Sequence, residues 1–195
     1  VNTFTDNFCC LAKDSSGRFW TYIQGKGLFS SDASLENFRP QWWQQSGENI
    51  SSRLVDVKKM YCDAYNVLWF GSEGQGLIRY TGNRLFFGNS FYETPVTDSA
   101  HWFVRAFYAD KNSLWVGTYD NGFKKIDYDK KTIQSWSSSL FRGIYCITGG
   151  KENSILVGTE HGVFRFKNEK FYPLRSTYYY TGEIHYQNFL RLRDN

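Results

Sequence analysis

The chain has 195 residues, 41% of them hydrophobic and 19% aromatic, with three prolines, one methionine and a formal charge of +4. That length suits one or two ordinary domains, and the charge is too mild for a nucleic-acid surface, which shows a concentrated basic face. No apolar run of about 20 residues is present, which excludes a bilayer-spanning helix, and no basic region followed by an apolar stretch, the mark of a signal peptide, opens the chain at Val1.

Abundant Trp, Tyr and Phe favour pleated, half-buried surfaces, so an all-β chain is expected. A phrase recurs: Leu68-Trp69-Phe70-Gly71-Ser72, Leu114-Trp115-Val116-Gly117-Thr118 and Ile155-Leu156-Val157-Gly158-Thr159, with a worn copy at Phe19-Trp20-Thr21-Tyr22. Each copy is followed by a glycine and an apolar residue: Gly27-Leu28, Gly76-Leu77, Gly122-Phe123 and Gly162-Val163. Repetition at about 40–50 residues decides architecture before any single residue does.

In chain order, the first unit covers 8–40, from Phe8 through the turn Asp14-Ser15-Ser16-Gly17, Trp20 and Gly27-Leu28. A connection carrying Gln41-Trp42-Trp43-Gln44-Gln45 follows, then a second unit over 54–88. The third, over 102–137, is the clearest. An apolar strand over 102–108 meets the turn Asp110-Lys111-Asn112-Ser113, and strands over 114–118, 123–127 and 132–136 follow. The fourth covers 144–174, and 188–195 resembles the first strand and turn of a further unit. Four short antiparallel strands in about 35–45 residues make a propeller blade. The expected fold is all-β: a β-propeller with four recognisable four-stranded blades plus the first strand of a fifth. The segment 1–195 then reads as one partial propeller within a larger ring, with a closed four-blade ring or an array capped by another chain as alternatives.

Apolar pairs opening each inner strand align: Phe8 and Leu11, Val57 and Met60, Val104 and Phe107, Ile144 and Ile147. Each repeat Trp is expected to lie between neighbouring sheets, where full burial contributes about 4–6 kcal/mol at most. The glycine after Trp+1 permits close backbone approach, and the later glycine supplies a positive φ in its hairpin. Two departures stand out: Tyr22 takes a glycine position, and Leu156 a Trp position. Lys124-Lys125 and Lys130-Lys131 are expected to be solvated charge at strand edges.

The pattern Asp-x-x-Gly-x-Leu-Trp-x-Gly-Thr, followed by Gly-Leu-x-x-Tyr/Ile-Asp, resembles the two-component regulator propeller repeat. The copies at 114–127 and 68–80 carry the match, 155–163 matches except at Leu156, and the first matches weakly. The resemblance implies seven-bladed propellers in the extracytoplasmic sensor half of hybrid histidine kinases, often detecting glycan fragments. It also implies a periplasmic location.

Chemistry is sparse. Cys9, Cys10, Cys62 and Cys146 have no metal-ligand spacing and read as small hydrophobes on inner strands. His161 falls in a turn, and no nucleophile–base signature appears near His101 or His185. Gly25-Lys26-Gly27 and Gly74-Gln75-Gly76 are hairpin turns, since neither opens a helix as a phosphate loop does. The candidate ligand-binding residues therefore lie in the insertions: Trp42, Trp43, His101, Trp102, Tyr178, Tyr179 and Tyr180. Aromatic faces beside amides suit sugar rings, whose C–H faces pack while hydroxyls bond the amides. No catalytic residue, metal or cofactor is expected. The expected partners are an oligosaccharide or small-molecule ligand, the rest of a receptor propeller and a homodimer mate, without nucleic acid or membrane contact. The alternatives are an interaction or dimerisation scaffold and, more remotely, a propeller lyase or hydrolase.

Overall fold

The computed structural model describes residues 8–32, 34, 37–41, 54, 56–82, 85–87, 102–140 and 142–174. These form four antiparallel sheets of four strands, each in simple chain order. Blade one is β1 (Phe8–Lys13), β2 (Phe19–Ile23), β3 (Gly27–Ser31) and β4 (Phe38–Pro40). Blade two is β5 (Val57–Cys62), β6 (Leu68–Ser72), β7 (Gly76–Tyr80) and β8 (Leu85–Phe87). Blade three is β9 (Val104–Ala109), β10 (Ser113–Thr118), β11 (Phe123–Asp127) and β12 (Thr132–Trp136). Blade four is β13 (Ile144–Gly149), β14 (Ile155–Thr159), β15 (Gly162–Lys167) and β16 (Lys170–Pro173). The all-β architecture of four four-stranded blades is the one expected, whereas 188–195 lies outside the described residues.

The chain forms two compact units, 1–104 and 105–195. In the first, Trp20, Leu28, Leu54, Val57, Met60 and Phe70 join blades one and two in one core. In the second, Trp115, Phe123, Ile144, Val157, Phe164 and Phe166 join blades three and four. Trp115 stacks on Phe123 at 5.1 Å between ring centres and meets Phe166 edge-on at 5.9 Å, so it lies between the sheets as expected.

Each repeat tryptophan is also held by a hydrogen bond that the sequence reading passed over. The indole N–H of Trp20 donates to Asp14 Oδ2 at 2.9 Å, that of Trp69 to Asp63 Oδ2 at 2.8 Å, and that of Trp115 to Asp110 Oδ2 at 2.8 Å. The other carboxylate oxygen accepts turn amides: Ser16 and Arg18 N–H for Asp14, Tyr65 and Val67 for Asp63, and Asn112 for Asp110. One aspartate thus closes the first turn of the blade and gives the buried indole its acceptor. Blade four has neither partner. Gly150 makes the corresponding backbone bond to Ser154 at 2.7 Å, and Leu156 replaces the indole. Asp and Trp are lost together, as expected if each serves mainly to satisfy the other.

The last residue of the phrase has its own task. Thr118 Oγ1 donates to the Gly122 carbonyl at 2.8 Å and accepts from Asn121 N–H, and Thr159 repeats this with Gly162 and His161. The glycines behave as expected. Gly122 has φ +75°, and a Cβ there would run into the Trp136 carbonyl; a Cβ on Gly117 would strike Ile144 and Ile147. Tyr22 dispenses with the glycine differently: its ring is 2% exposed, and its hydroxyl crosses to blade two to donate to the Leu54 carbonyl at 2.7 Å.

One expectation fails. Lys124 is not solvated edge charge. It lies on β11, between β10 and β12, is 6% exposed, and its ammonium donates to the Asn121 carbonyl at 2.8 Å. Its neighbour Lys125 sits over the Trp115 ring at 5.3 Å. Leu11 shares the register of Met60 and Ile147, each opposite the residue after the Trp position. Those two are 8% exposed, because a neighbouring blade in the same unit covers them, whereas Leu11 is 55% exposed.

Candidate functional site

The residues singled out for ligand binding are mostly beyond reach: Trp42, Trp43, His101, Tyr178, Tyr179 and Tyr180 lie outside the described residues. Trp102 is described and is 2% exposed, so its ring is covered rather than presented. Among the described residues no group of three or more His, Cys, Asp or Glu side chains could hold a metal ion.

A different set emerges once the blades are superposed by register. Four residues after the Trp position, the copies read Gln24, Glu73, Tyr119 and Glu160. At the second position of the inner strand they read Cys9, Lys58, Arg105 and Tyr145. The position just before each set keeps its character, apolar or a small hydroxyl (Ile23, Ser72, Thr118 and Thr159; Phe8, Val57, Val104 and Ile144), while these vary in charge and chemistry. Both positions fall at the same end of each sheet: the start of the inner strand and the turn after the second strand. A scaffold position is constrained by packing. Positions that vary in this way at one end of every sheet make that end the candidate recognition surface.

In the second unit these positions form a compact cluster. Tyr119 and Tyr145 meet edge-to-face at 6.4 Å between ring centres. The Arg105 guanidinium lies 5.8 Å from the Tyr119 ring centre and that of Arg142 lies 5.9 Å from it. Glu160 Oε1 accepts from the backbone N–H of Arg142 at 2.8 Å and of Gly143 at 3.3 Å, fastening the segment before β13 to the β14–β15 turn. His161 Nδ1 is 3.5 Å from the same oxygen, on a largely exposed ring. Gly143 is fixed by the tyrosines, since a Cβ there would lie 3.0 Å from Tyr119 Cδ2 and 3.1 Å from the Tyr145 hydroxyl.

Burial, followed by the charges of Glu160 and Tyr119, pushes the Tyr145 phenol above its ordinary value against the opposing pull of Arg105. Tyr145 is therefore protonated at neutral pH and offers an O–H donor. This is the wrong direction for a catalytic tyrosine base, which needs a lowered value.

The same end of the first unit carries different chemistry. Gln24 Nε2 donates to Asp56 Oδ1 at 2.9 Å, and Lys58 pairs with Glu73 at 3.6 Å. One ion pair and one amide–carboxylate bond occupy that end, without a tyrosine at either variable position. The register of this end is present in the sequence, within the repeat copies and not in the insertions between them.

Comparison with solved structures follows this geometry. Two crystal structures of the extracellular domain of BT4673 from B. thetaiotaomicron, described in one case as a hybrid two-component system, match with TM-scores of 0.67 and 0.64 and identities of 23% and 25%. They cover 94% and 91% of this chain but only 23% of their own. The extracellular domain of the hybrid two-component system BT3049, from the same organism, matches with a TM-score of 0.63 at 14% identity, over 88% of this chain and 25% of its own. A catalytically inactive virginiamycin B lyase from Staphylococcus aureus matches with a TM-score of 0.63 at 13% identity, over 91% of this chain and 59% of its own. No family model matches the sequence, and no curated protein does. The fold is an all-β propeller, and the chain is similar to extracellular domains of two-component systems, in line with its repeat resemblance. It spans about a quarter of the length of those extracellular domains.

Proposed function

We propose that this chain is a ligand-recognising segment of an extracytoplasmic, periplasmic propeller in a two-component signalling receptor. It belongs to one larger propeller, takes a glycan or other small nutrient, and is not itself a catalyst. The observation that carries the reading is 25% identity over 91% of the chain to the extracellular domain of a hybrid two-component system. The variable end of the blades supports it by supplying aromatic faces, amides and guanidiniums on a rigid frame. Signalling requires the ligand to favour one of two receptor arrangements, since equal binding to both transmits nothing. The test is calorimetric screening of the intact receptor ectodomain against plant, host and bacterial glycans. Saturable binding that raises the melting temperature is expected, and no binding across the panel would remove the carbohydrate reading.

The exposure of Leu11 favours a second reading, an interaction scaffold in which this face of blade one is covered by a further blade or a partner chain. Sedimentation of the full chain and of Leu11→Glu tests it. Self-association that the substitution abolishes supports a homodimer, and a concentration-independent monomer in both cases rules one out.

A further inference from the structure

We propose that two uncovered sheet faces of this chain fit each other, blade one's at Leu11 and blade four's at Leu156 and Leu174, so that a second copy of the chain docks head to tail. The inference rests on reading the Leu11 face as an interaction surface and names what covers it.

The joint between blades three and four is the pattern for this contact. Blade three presents Trp115, Phe123 and Trp136, and all three rings meet Phe166 of blade four edge-on, at 5.9, 5.0 and 4.9 Å between ring centres. Ile147, Val157 and Phe164 complete the receiving row. That row recurs on blade one. Leu11, Thr21 and Phe29 pair across β1, β2 and β3 as Ile147, Val157 and Phe164 do across β13, β14 and β15. The presenting row recurs on the far face of blade four. Leu156 stands in the register of Trp115 and Val163 in that of Phe123. Leu174, whose N–H donates to the Val163 carbonyl at 2.9 Å, stands in that of Trp136.

Both faces lie open. Leu11 is 55% exposed where Ile147 is 8%. Leu156 and Val163 are part-buried where Trp115 and Phe123 are 8% and 0% exposed, and Leu174 is 39% exposed. Leu174 is smaller than the tryptophan it replaces, and a groove of about 370 Å³ lies there, lined by Arg165, Lys167, Asn168, Tyr172 and Leu174. The groove is the place for Phe29 and Phe38 of the second copy, which hold the register of Phe164 and Phe171 in the closed joint. Arg165 and Lys167 on one face and Lys13 on the other are like charges, with Lys167 paired to Glu152 at 2.7 Å. Salt screens them and leaves the apolar contact in place.

Sedimentation equilibrium of the full chain at about 50 and 500 mM salt tests the contact. The mean mass should rise with concentration to at least about twice the monomer's, because joining two unlike faces gives a ring or an open row of copies. It should do so at both salt concentrations. Leu11→Glu and Leu174→Glu, both at exposed positions, should keep the native melting temperature and each be monomeric alone. Tyr172→Glu, a second change on the blade-four face, should act like Leu174→Glu. Leu11→Glu and Leu174→Glu mixed in equal amounts should form a one-to-one dimer, since each supplies the face that the other lacks. Self-association that Leu11→Glu abolishes and both blade-four changes leave intact would overturn the head-to-tail contact. The Leu11 face would then stand as an interaction surface that meets its own copy. Association that disappears at the higher salt would overturn the apolar joint. A monomer at every concentration would overturn the proposal and the homodimer alike, leaving the Leu11 face to a further blade.

Discussion

At the scale of single residues, the Asp–Trp pair is the unit of stability. Asp63 and Trp69 are 5% and 1% exposed, so removing the carboxylate strands both a buried indole N–H and two turn amides. Asp63→Ala should cost about 2–3 kcal/mol in urea unfolding. Adding Trp69→Leu to it should cost less than the sum of the two single changes, as blade four's Gly150 and Leu156 suggest. Trp115→Ala, which empties a stacked core position, should cost about 3–5 kcal/mol; an unchanged melting temperature would remove it from between the sheets. The Asp14 copy also predicts a pH dependence. Burial alone would raise its carboxyl, but bonds from Ser16, the Trp20 indole and the Arg18 backbone, with the Arg18 charge, outweigh this and hold it below 3.8. A lowered folded value means stability that is complete well above 3.8 and is lost as pH falls through the lower folded value. Melting temperatures measured on the acid side should fall more steeply for the native chain than for Asp14→Asn.

At the scale of strands and turns, glycines set how closely blades and hairpins approach. Gly122→Ala forces an L side chain into a left-handed turn and should cost about 1–2 kcal/mol from conformation alone, before its clash with the Trp136 carbonyl. Gly143→Ala is the more selective probe. It should shift Tyr119 and Tyr145, altering ligand affinity more than stability, which paired calorimetry and thermal melting would resolve. The strands were legible because the repeat frame states them four times, so weak copies borrow register from strong ones. The third blade's strands over 123–127 and 132–136 were read without error for this reason. The buried Lys124 was not legible, because the strand order does not reveal that its ammonium folds back onto the Asn121 carbonyl and the Ser135 hydroxyl. Nor was the site, since Tyr119, Tyr145 and Arg105 are far apart in sequence and meet only when blade four packs on blade three.

At the scale of the molecule, each unit has its own core. A core cavity in one should therefore loosen that unit first. Phe164→Ala, expected to cost about 3–5 kcal/mol, should lower hydrogen-exchange protection in residues 105–174 more than in 8–82. Equal loss in both would mean that the chain opens as one cooperative body. The register comparison carries a consequence for change over time and for engineering. Positions that build the frame and positions that face outward at the variable end are separate along every blade. Gln24, Glu73, Tyr119 and Glu160 occupy equivalent places with an amide, two carboxylates and a phenol. The chain is thus an addressable array, in which a new recognition profile can be composed one blade at a time while the folding instructions are left untouched.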